Sequence, residues 1–319
     1  MTALPRVDPM LATPGRLPSA SMDSLFAYEV KQDGQRCIAY VTGDGSVLLR
    51  SRSGSDVTAA YPDLSDLGRG LGSRPAVLDG EIIAPDSDGR ADFQRLQSRM
   101  GLTGAPAKAA RMARRIPAHL VLFDVLFLNT EPLTRTVYSE RRAILEDLNL
   151  AGPTWSTPAA IVGHGQQALE MTRAAGLEGL VAKRLNSPYQ PGIRSRSWIK
   201  IRHVKTTDIV VGGWLPGRGR LSSLPGALLM GQPRPGGLQY VGSVGTGWTD
   251  TNRARLAAAL THLATGTCPF IEHPTATGAR WVEPCLVAEV RYTTRTQAER
   301  LRHPSWHRLR PDLTPDDLP

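Results

Sequence analysis

Cysteine is scarce in this chain. Cys37, Cys268 and Cys285 stand far apart with no Cys-x-x-Cys pair, which excludes a disulfide framework and a cysteine-rich zinc site. No apolar run approaches the roughly 20 residues that a membrane-spanning helix needs. Residues 1–18 interleave Pro and Arg with apolar side chains and hold no apolar h-region, so no secretory leader is expected. These absences point to the reducing cytoplasm and to no membrane partner. Lysine is the other shortage. Against 33 arginines there are five lysines, Lys31, Lys108, Lys183, Lys200 and Lys205. A lysine that persists in such a background draws attention, because only lysine can shed its proton and act as an amine nucleophile.

What is present fits an ordinary globular protein. The 319 residues are 41% hydrophobic and 21% charged, enough for two domains and against global disorder. The balance of 38 basic against 29 acidic residues gives a net charge of +9, which favours a polyanionic partner, nucleic acid first. A basic soluble enzyme with no such partner is the plainer reading of the same number.

Patterning predicts strands over 25–31, 36–42 and 46–50, with Gly43-Asp44-Gly45 as a hairpin turn between the last two. Further strands are expected at 76–84, 119–129, 179–184 and 197–202, and helices at 92–100, 107–115, 139–148 and 166–175. Helix 107–115 carries Lys108, Arg111, Arg114 and Arg115. After Lys205 the texture changes to short β-runs over 208–245, one Ala-rich helix over 251–263 and strands at 281–292, the pattern of a small Greek-key barrel. A boundary near 205 divides the chain into domains 1–205 and 206–319, both net basic. The acidic, Pro-rich tail 312–319 is expected to be disordered.

Several windows carry chemistry. Lys31-Gln32-Asp33-Gly34-Gln35-Arg36 places a lysine at a strand end, followed by a glycine turn that exposes it. A surface lysine in a turn explains that window alone equally well. Asp79-Gly80-Glu81 puts carboxylates inside an apolar strand, which is costly unless a cation compensates them. Glu178 opens, and Lys183 closes, another apolar strand. In Trp198-Ile199-Lys200-Ile201-Arg202 the alternation sets Lys200 and Arg202 on one face. One candidate nucleophile, two carboxylates and several cations suit phosphate chemistry with a divalent metal.

The order KxDGxR, SRSG, DGE, FD, EGLVAK and WIKIR resembles the six nucleotidyltransferase motifs of ATP-dependent DNA ligases. The spellings EVKQDGQR, EGLVAKRLNSPY and WLPGRGR with VGSVGTGWTD are similar to the bacterial branch, which includes small stand-alone ligases and the ligase module of end-joining ligases. The resemblance covers residues 9–312. It implies an α+β fold: an adenylation domain of antiparallel sheets and helices, followed by an OB-fold barrel. It implies that Lys31 attacks the α-phosphate of ATP to form a lysyl-AMP. Glu29 and Val30 would lie beside the adenine edge, and Phe123 would stack on the base. Arg36 would contact the ribose or the nick, and Arg52 the 5′-phosphate or ribose. Glu81 would hold the ribose or a metal, and Glu178 a metal, with Mg²⁺ or Mn²⁺ as that metal. Lys200, Arg202, Arg302 and Arg310 would hold the α-phosphate and pyrophosphate. Lys183 is read as a surface residue closing its strand.

The implied reaction seals nicked duplex DNA in three steps, in a monomer that works with a repair polymerase or end-joining proteins. RNA ligases and GTP-using capping enzymes share the lysine and several motifs, and remain alternatives, as does a catalytically silent nucleic-acid-binding module. Lys31 comes only about 30 residues in, so DNA grip is expected from the barrel, the basic helix or a partner rather than from a separate helical domain. Three features depart from the family pattern. Arg202 stands where a second lysine is usual. Leu313 replaces a closing basic residue. His303 and His307, four apart, are kept from a helical metal pair by Pro304.

Overall fold

The computed structural model describes residues 4–296 and 298–319. The chain divides into two compact units, Met1–His203 and Val204–Pro319.

The strands of the first unit are β1 (Leu11–Pro14), β2 (Phe26–Val30), β3 (Gln35–Val41), β4 (Val47–Ser51), β5 (Ala76–Ile83), β6 (His119–Leu128), β7 (Glu131–Pro132), β8 (Trp155–Ser156), β9 (Ile161–Val162), β10 (Gly179–Arg184) and β11 (Arg194–Arg202). Its helices are α1 (Leu67–Leu71), α2 (Phe93–Gln97), α3 (Pro106–Arg115), α4 (Tyr138–Asp147) and α5 (Gly165–Ala174). One sheet runs β1-β11-β10-β2-β9, and the other runs β4-β3-β5-β6-β7 with β8 on β6.

The two-residue period of the strands decides what faces what. On β3, Cys37, Ala39 and Val41 join the core that also holds Leu67, Leu96, Ala109 and Leu145 from the helices. The alternate residues Ile38 and Tyr40 meet Val77, Tyr189 and Trp198 between the two sheets. The same alternation on β5 sends Leu78 and Ile82 to the helical side, which leaves Asp79 and Glu81 for the space between the sheets. On the far side of the first sheet, Phe26, Tyr28, Leu180 and Ile201 pack with Ala168 of α5. The layers are therefore helices, sheet, sheet, helix, and the polar residues of the inner layer gather between the sheets.

The second unit holds β12 (Lys205–Pro216), β13 (Pro225–Arg234), β14 (Gly237–Val244), α6 (Asp250–His262), β15 (Ala264–Thr265), β16 (Arg280–Tyr292) and β17 (Ser305–Leu309). The order is β14-β13-β12-β16-β15, with β17 on β16. Val211, Met230, Val244, Val290 and Trp306 from five strands share one core with Leu256 and Leu260 of α6, the arrangement of the expected OB-type barrel.

Three expectations need correction. The helix read over 92–100 ends at Gln97. Asp92 caps its start by accepting from Gln94 N at 2.8 Å. Past its end Arg99 turns inward, fully buried, to Asp63 at 2.7 Å and the carbonyls of Ala60 and Ile116 at 2.9 and 2.6 Å. The short β-runs read over 208–245 are three strands of 12, 10 and 8 residues. The tail is ordered. Thr314 and Asp317 form a reciprocal cap around the turn Pro315–Asp317, and Leu318 packs against the cluster of Val210 and Leu229.

Candidate active site

The Lys31–Arg36 turn is built by close backbone approach. Lys31 N donates to Gly179 O at 2.9 Å, which ties the loop after β2 to the start of β10. A side chain at Gly34 would collide with Ile82 O, and one at Gly179, whose φ is +144°, would collide with Ile201 O. These are steric reasons for the glycines of KxDG and EG. They leave Lys31 at the mouth of a cleft of about 290 Å³ between the sheets. Its ammonium pairs with Glu178 Oε2 and donates to Gln32 O at 3.3 Å. The other Glu178 oxygen lies 2.8 Å from Arg202 Nε. The nearest charge to Lys31 is thus a carboxylate and not the neighbouring cations.

Register places the cations beside it. Gly179 pairs with Arg202 and Val181 with Lys200 across β10 and β11. Burial lowers the Lys200 pKa, helped by the positive charges of Arg202, Arg194, Lys31 and Arg52. Glu81 answers from the second sheet. Burial, with Asp79 and Glu178 nearby, pushes it up to about 7 against the pull of Arg36 and Lys31. Among the described residues no group of three or more metal-ligating side chains occurs. Two carboxylates beside a cleft lined by Lys31, Lys200 and Arg202 do fit Mg²⁺, which is commonly held by one or two carboxylates, waters and substrate phosphates.

The other end of the cleft is aromatic. Phe123 meets Trp198 edge-on with centroids 6.2 Å apart. The Arg36 guanidinium lies 4.5 Å from the Phe123 centroid, held by Asp79 through two bonds of 2.5 and 2.6 Å. Asp79 also accepts from Tyr189 Oη at 2.6 Å. Glu29 is buried, bonded by Tyr138 Oη and 3.7 Å from Arg142. Lys183 is the clearest correction. It is 1% exposed, pairs with Glu29 at 2.8 Å, donates to Phe123 O at 2.9 Å, and lies 4.4 to 5.1 Å from the Phe123, Tyr138 and Trp198 centroids. Desolvation lowers its pKa despite Glu29.

Glu29, Val30, Lys31, Arg36, Arg52, Glu81, Phe123, Lys200 and Arg202 all line this cleft, and Glu178 reaches it through Lys31 and Arg202. A neighbouring cavity of about 480 Å³ shares Gly34, Arg36, Arg52 and Glu81 with it and adds Ser51 and Ser53. A larger cavity of about 750 Å³ lies by Leu4, Tyr40, Leu48 and Pro75, and its lining residues include no lysine. Sequence reasoning missed Arg194, which also lines it. The alternation Arg-Ser-Arg-Ser-Trp-Ile-Lys-Ile-Arg, followed back from Lys200, contains that signal.

Arg302 and Arg310 belong to the second unit. Arg310 is held by Asp208 at 3.1 Å and Asp312 at 2.7 Å, and its hydrogen bonds bring Asp312 down to about 2. Arg302 anchors its loop through backbone bonds with Thr294 at 2.9 Å and Thr293 at 3.1 Å. His303 lies in a turn with φ +51°, and His307 is on β17, 3.8 Å from Glu289.

Comparison with known proteins bears on the same residues. The family model described as ATP dependent DNA ligase domain matches residues 9–202, and the one described as ATP dependent DNA ligase C terminal region matches 222–313. The multifunctional non-homologous end joining DNA repair protein LigD of Mycobacterium tuberculosis is 42% identical over 314 residues, covering 97% of this chain and 39% of that protein. The chain thus spans well under half the length of such relatives. DNA ligase C1 of Mycolicibacterium smegmatis is 31% identical, over 98% of this chain and 92% of its own. The crystal structure of the ligase domain of M. tuberculosis LigD superimposes with a TM-score of 0.58 at 42% identity, covering 98% of each chain. Both units are matched, and the lysine, carboxylates and arginines of the cleft fall inside the matched span. The chain belongs to the ATP-dependent DNA ligase family.

Proposed function

We propose that this chain seals nicks in duplex DNA at the expense of ATP, through a lysyl-AMP on Lys31. The observation that carries the reading is the Lys31–Glu178–Arg202 group in a cleft that also holds Lys200 and Glu81. Lys31 Nζ, its ammonium proton released to solvent, bonds to the α-phosphorus as the bond to pyrophosphate breaks, and the second proton lost on forming the P–N bond also passes to solvent. The AMP then passes to the 5′-phosphate of the nick, and the 3′-hydroxyl displaces it.

Because a protonated amine has no lone pair, the Lys31–Glu178 pair opens before attack. Lys200 and Arg202 orient the phosphates and stabilise charge on the leaving group. Phe123 and Val30 enclose the base, with Glu29 at its edge, and Arg36 and Arg52 meet the ribose and the 5′-phosphate. Glu81 and Glu178 would hold Mg²⁺ or Mn²⁺, which when bound neutralises phosphate charge. In the second unit Arg302 and Arg310 serve pyrophosphate in the first step. The exposed cations of α3, Lys108, Arg111, Arg114 and Arg115, supply DNA grip through phosphate contacts. Relatives named for non-homologous end joining support a place in break repair, alongside a polymerase or end-joining proteins in the cytoplasm.

Labelled ATP, GTP and NAD, each incubated with the protein and run on a denaturing gel, test the reading. Label on the parent chain is expected from ATP alone, and should be chased by nicked duplex. Lys31→Ala and Lys31→Arg should both lose it, since guanidinium stays protonated. Adenylation of either variant would place the nucleophile elsewhere.

A further inference from the structure

We infer that the Gln32 side chain reads the base of the nucleotide, accepting from the exocyclic amino group of adenine and donating to the ring nitrogen beside it. At the aromatic end of the cleft a much smaller cavity, of about 20 Å³, adjoins the main one. The two share Glu29, Val30, Gln32 and Phe123. The remaining walls of the small cavity are Val121, Leu122, Pro158 and Ala159, all apolar. Glu29 and Gln32 are therefore the two polar side chains among its lining residues. The space holds about one water, so a purine against Phe123 meets these side chains with little solvent between.

Glu29 is already committed. Tyr138 Oη bonds one of its oxygens, Lys183 lies 2.8 Å from the other, and Arg142 stands 3.7 Å away. A purine amino group could join only by disturbing a buried ion pair. Gln32 is different. It is half-buried, and among the described residues its side-chain amide makes no hydrogen bond. Its backbone is pinned, because Lys31 N donates to Gly179 O at 2.9 Å and Lys31 Nζ to Gln32 O at 3.3 Å. One turn thus presents both the amine and the amide. A carboxamide carries an acceptor and a donor in one plane, and adenine sets an amino donor next to a ring-nitrogen acceptor, so two hydrogen bonds form together. The carboxylates of the cleft can only accept, and its lysines and arginines can only donate.

The inference rests on the ligase reading, and its test separates the two. Gln32→Leu removes both functions of the amide, whereas Gln32→Glu keeps an acceptor alone. Melting curves report folding of each variant. In lysyl-AMP formation, Gln32→Leu is expected to raise KM for ATP about tenfold. The rate at saturating ATP should stay close to that of the parent, as for a contact made equally before and during reaction. Binding of α,β-methylene-ATP, followed by calorimetry, should weaken by the same factor. Gln32→Glu should not restore it, and full restoration would overturn the donated bond. Purine riboside triphosphate, which lacks the amino group, should show most of the loss in the parent and nothing further in Gln32→Leu. Unchanged KM and binding in Gln32→Leu would reduce Gln32 to a turn residue. Losses from analogue and variant that simply multiply would mean that another group reads the base. A fall in the saturated rate with KM unchanged would tie Gln32 to the Lys31 amine instead. Failure of the parent to form lysyl-AMP would remove the ligase reading itself.

Discussion

Lys183 Nζ lies 2.8 Å from Glu29 Oε2, and this buried pair joins β10 to β2 beside Phe123. Replacing one member of a buried pair orphans the other, so Lys183→Met should destabilise the protein by about 3 kcal/mol. Arg142, at 3.7 Å from Glu29, offsets only part of the loss. Glu29→Gln combined with Lys183→Met should recover a substantial share, measured by urea unfolding as a double-mutant cycle. Independent, additive effects would show that the two charges are not coupled.

Glu81 carries a pH signature. Burial first, with Asp79 and Glu178, holds it up to about 7, against about 4.3 in an unfolded chain. The folded state therefore binds this proton more tightly than the unfolded state. Its contribution is full below the unfolded value and is lost as pH rises through 7. Glu81→Gln keeps a neutral side chain at every pH. In thermal melts of metal-free protein the variant should match the parent near pH 4 and be the more stable near pH 8. A gap that does not change with pH would mean that Glu81 ionises without penalty.

Much of the cleft was legible because strands announce their faces. The alternation of Trp198–Arg202 set Lys200 and Arg202 on one face, and both line the cleft together with Lys31 from its strand end. What stayed hidden depends on distant chain. Lys183 reads as a strand-end lysine until Phe123 and Tyr138, from other elements, close over it. Arg194 lies outside the strand read over 197–202, because β11 extends back to it where it pairs with Leu11 of the distant β1. In the second unit Gly212 and Gly213 look like breaks in β12. A side chain there would instead strike the rings of Phe270 and Trp281, so they are packing positions within one long strand.

Arg302 and Arg310 supply a step-specific test. Arg310 is oriented by Asp208 and Asp312, and Leu313 supplies no further cation beside it. Arg302→Ala with Arg310→Ala should stop AMP transfer from ATP almost completely, while a nick that already carries 5′-AMP is still sealed. Both activities should be measured on one preparation. Equal losses would mean damage to DNA binding or folding rather than to pyrophosphate handling.

The parallel pairing of β1 with β11 also constrains how the protein is made. Met10 N bonds to Tyr189 Oη at 2.8 Å across 179 positions of sequence, and Leu11 finds its strand partner only at Arg194. A ribosome releases residues 4–14 long before it releases 189–200, so the amino-terminal segment waits without a strand partner through most of the synthesis of its unit. Closing so long a loop is an entropic cost that local turns avoid, and it slows the assembly of folds that depend on it. The rim of the cleft is therefore completed late, when the nascent chain has already built the β3–β4 hairpin and the strands that follow it.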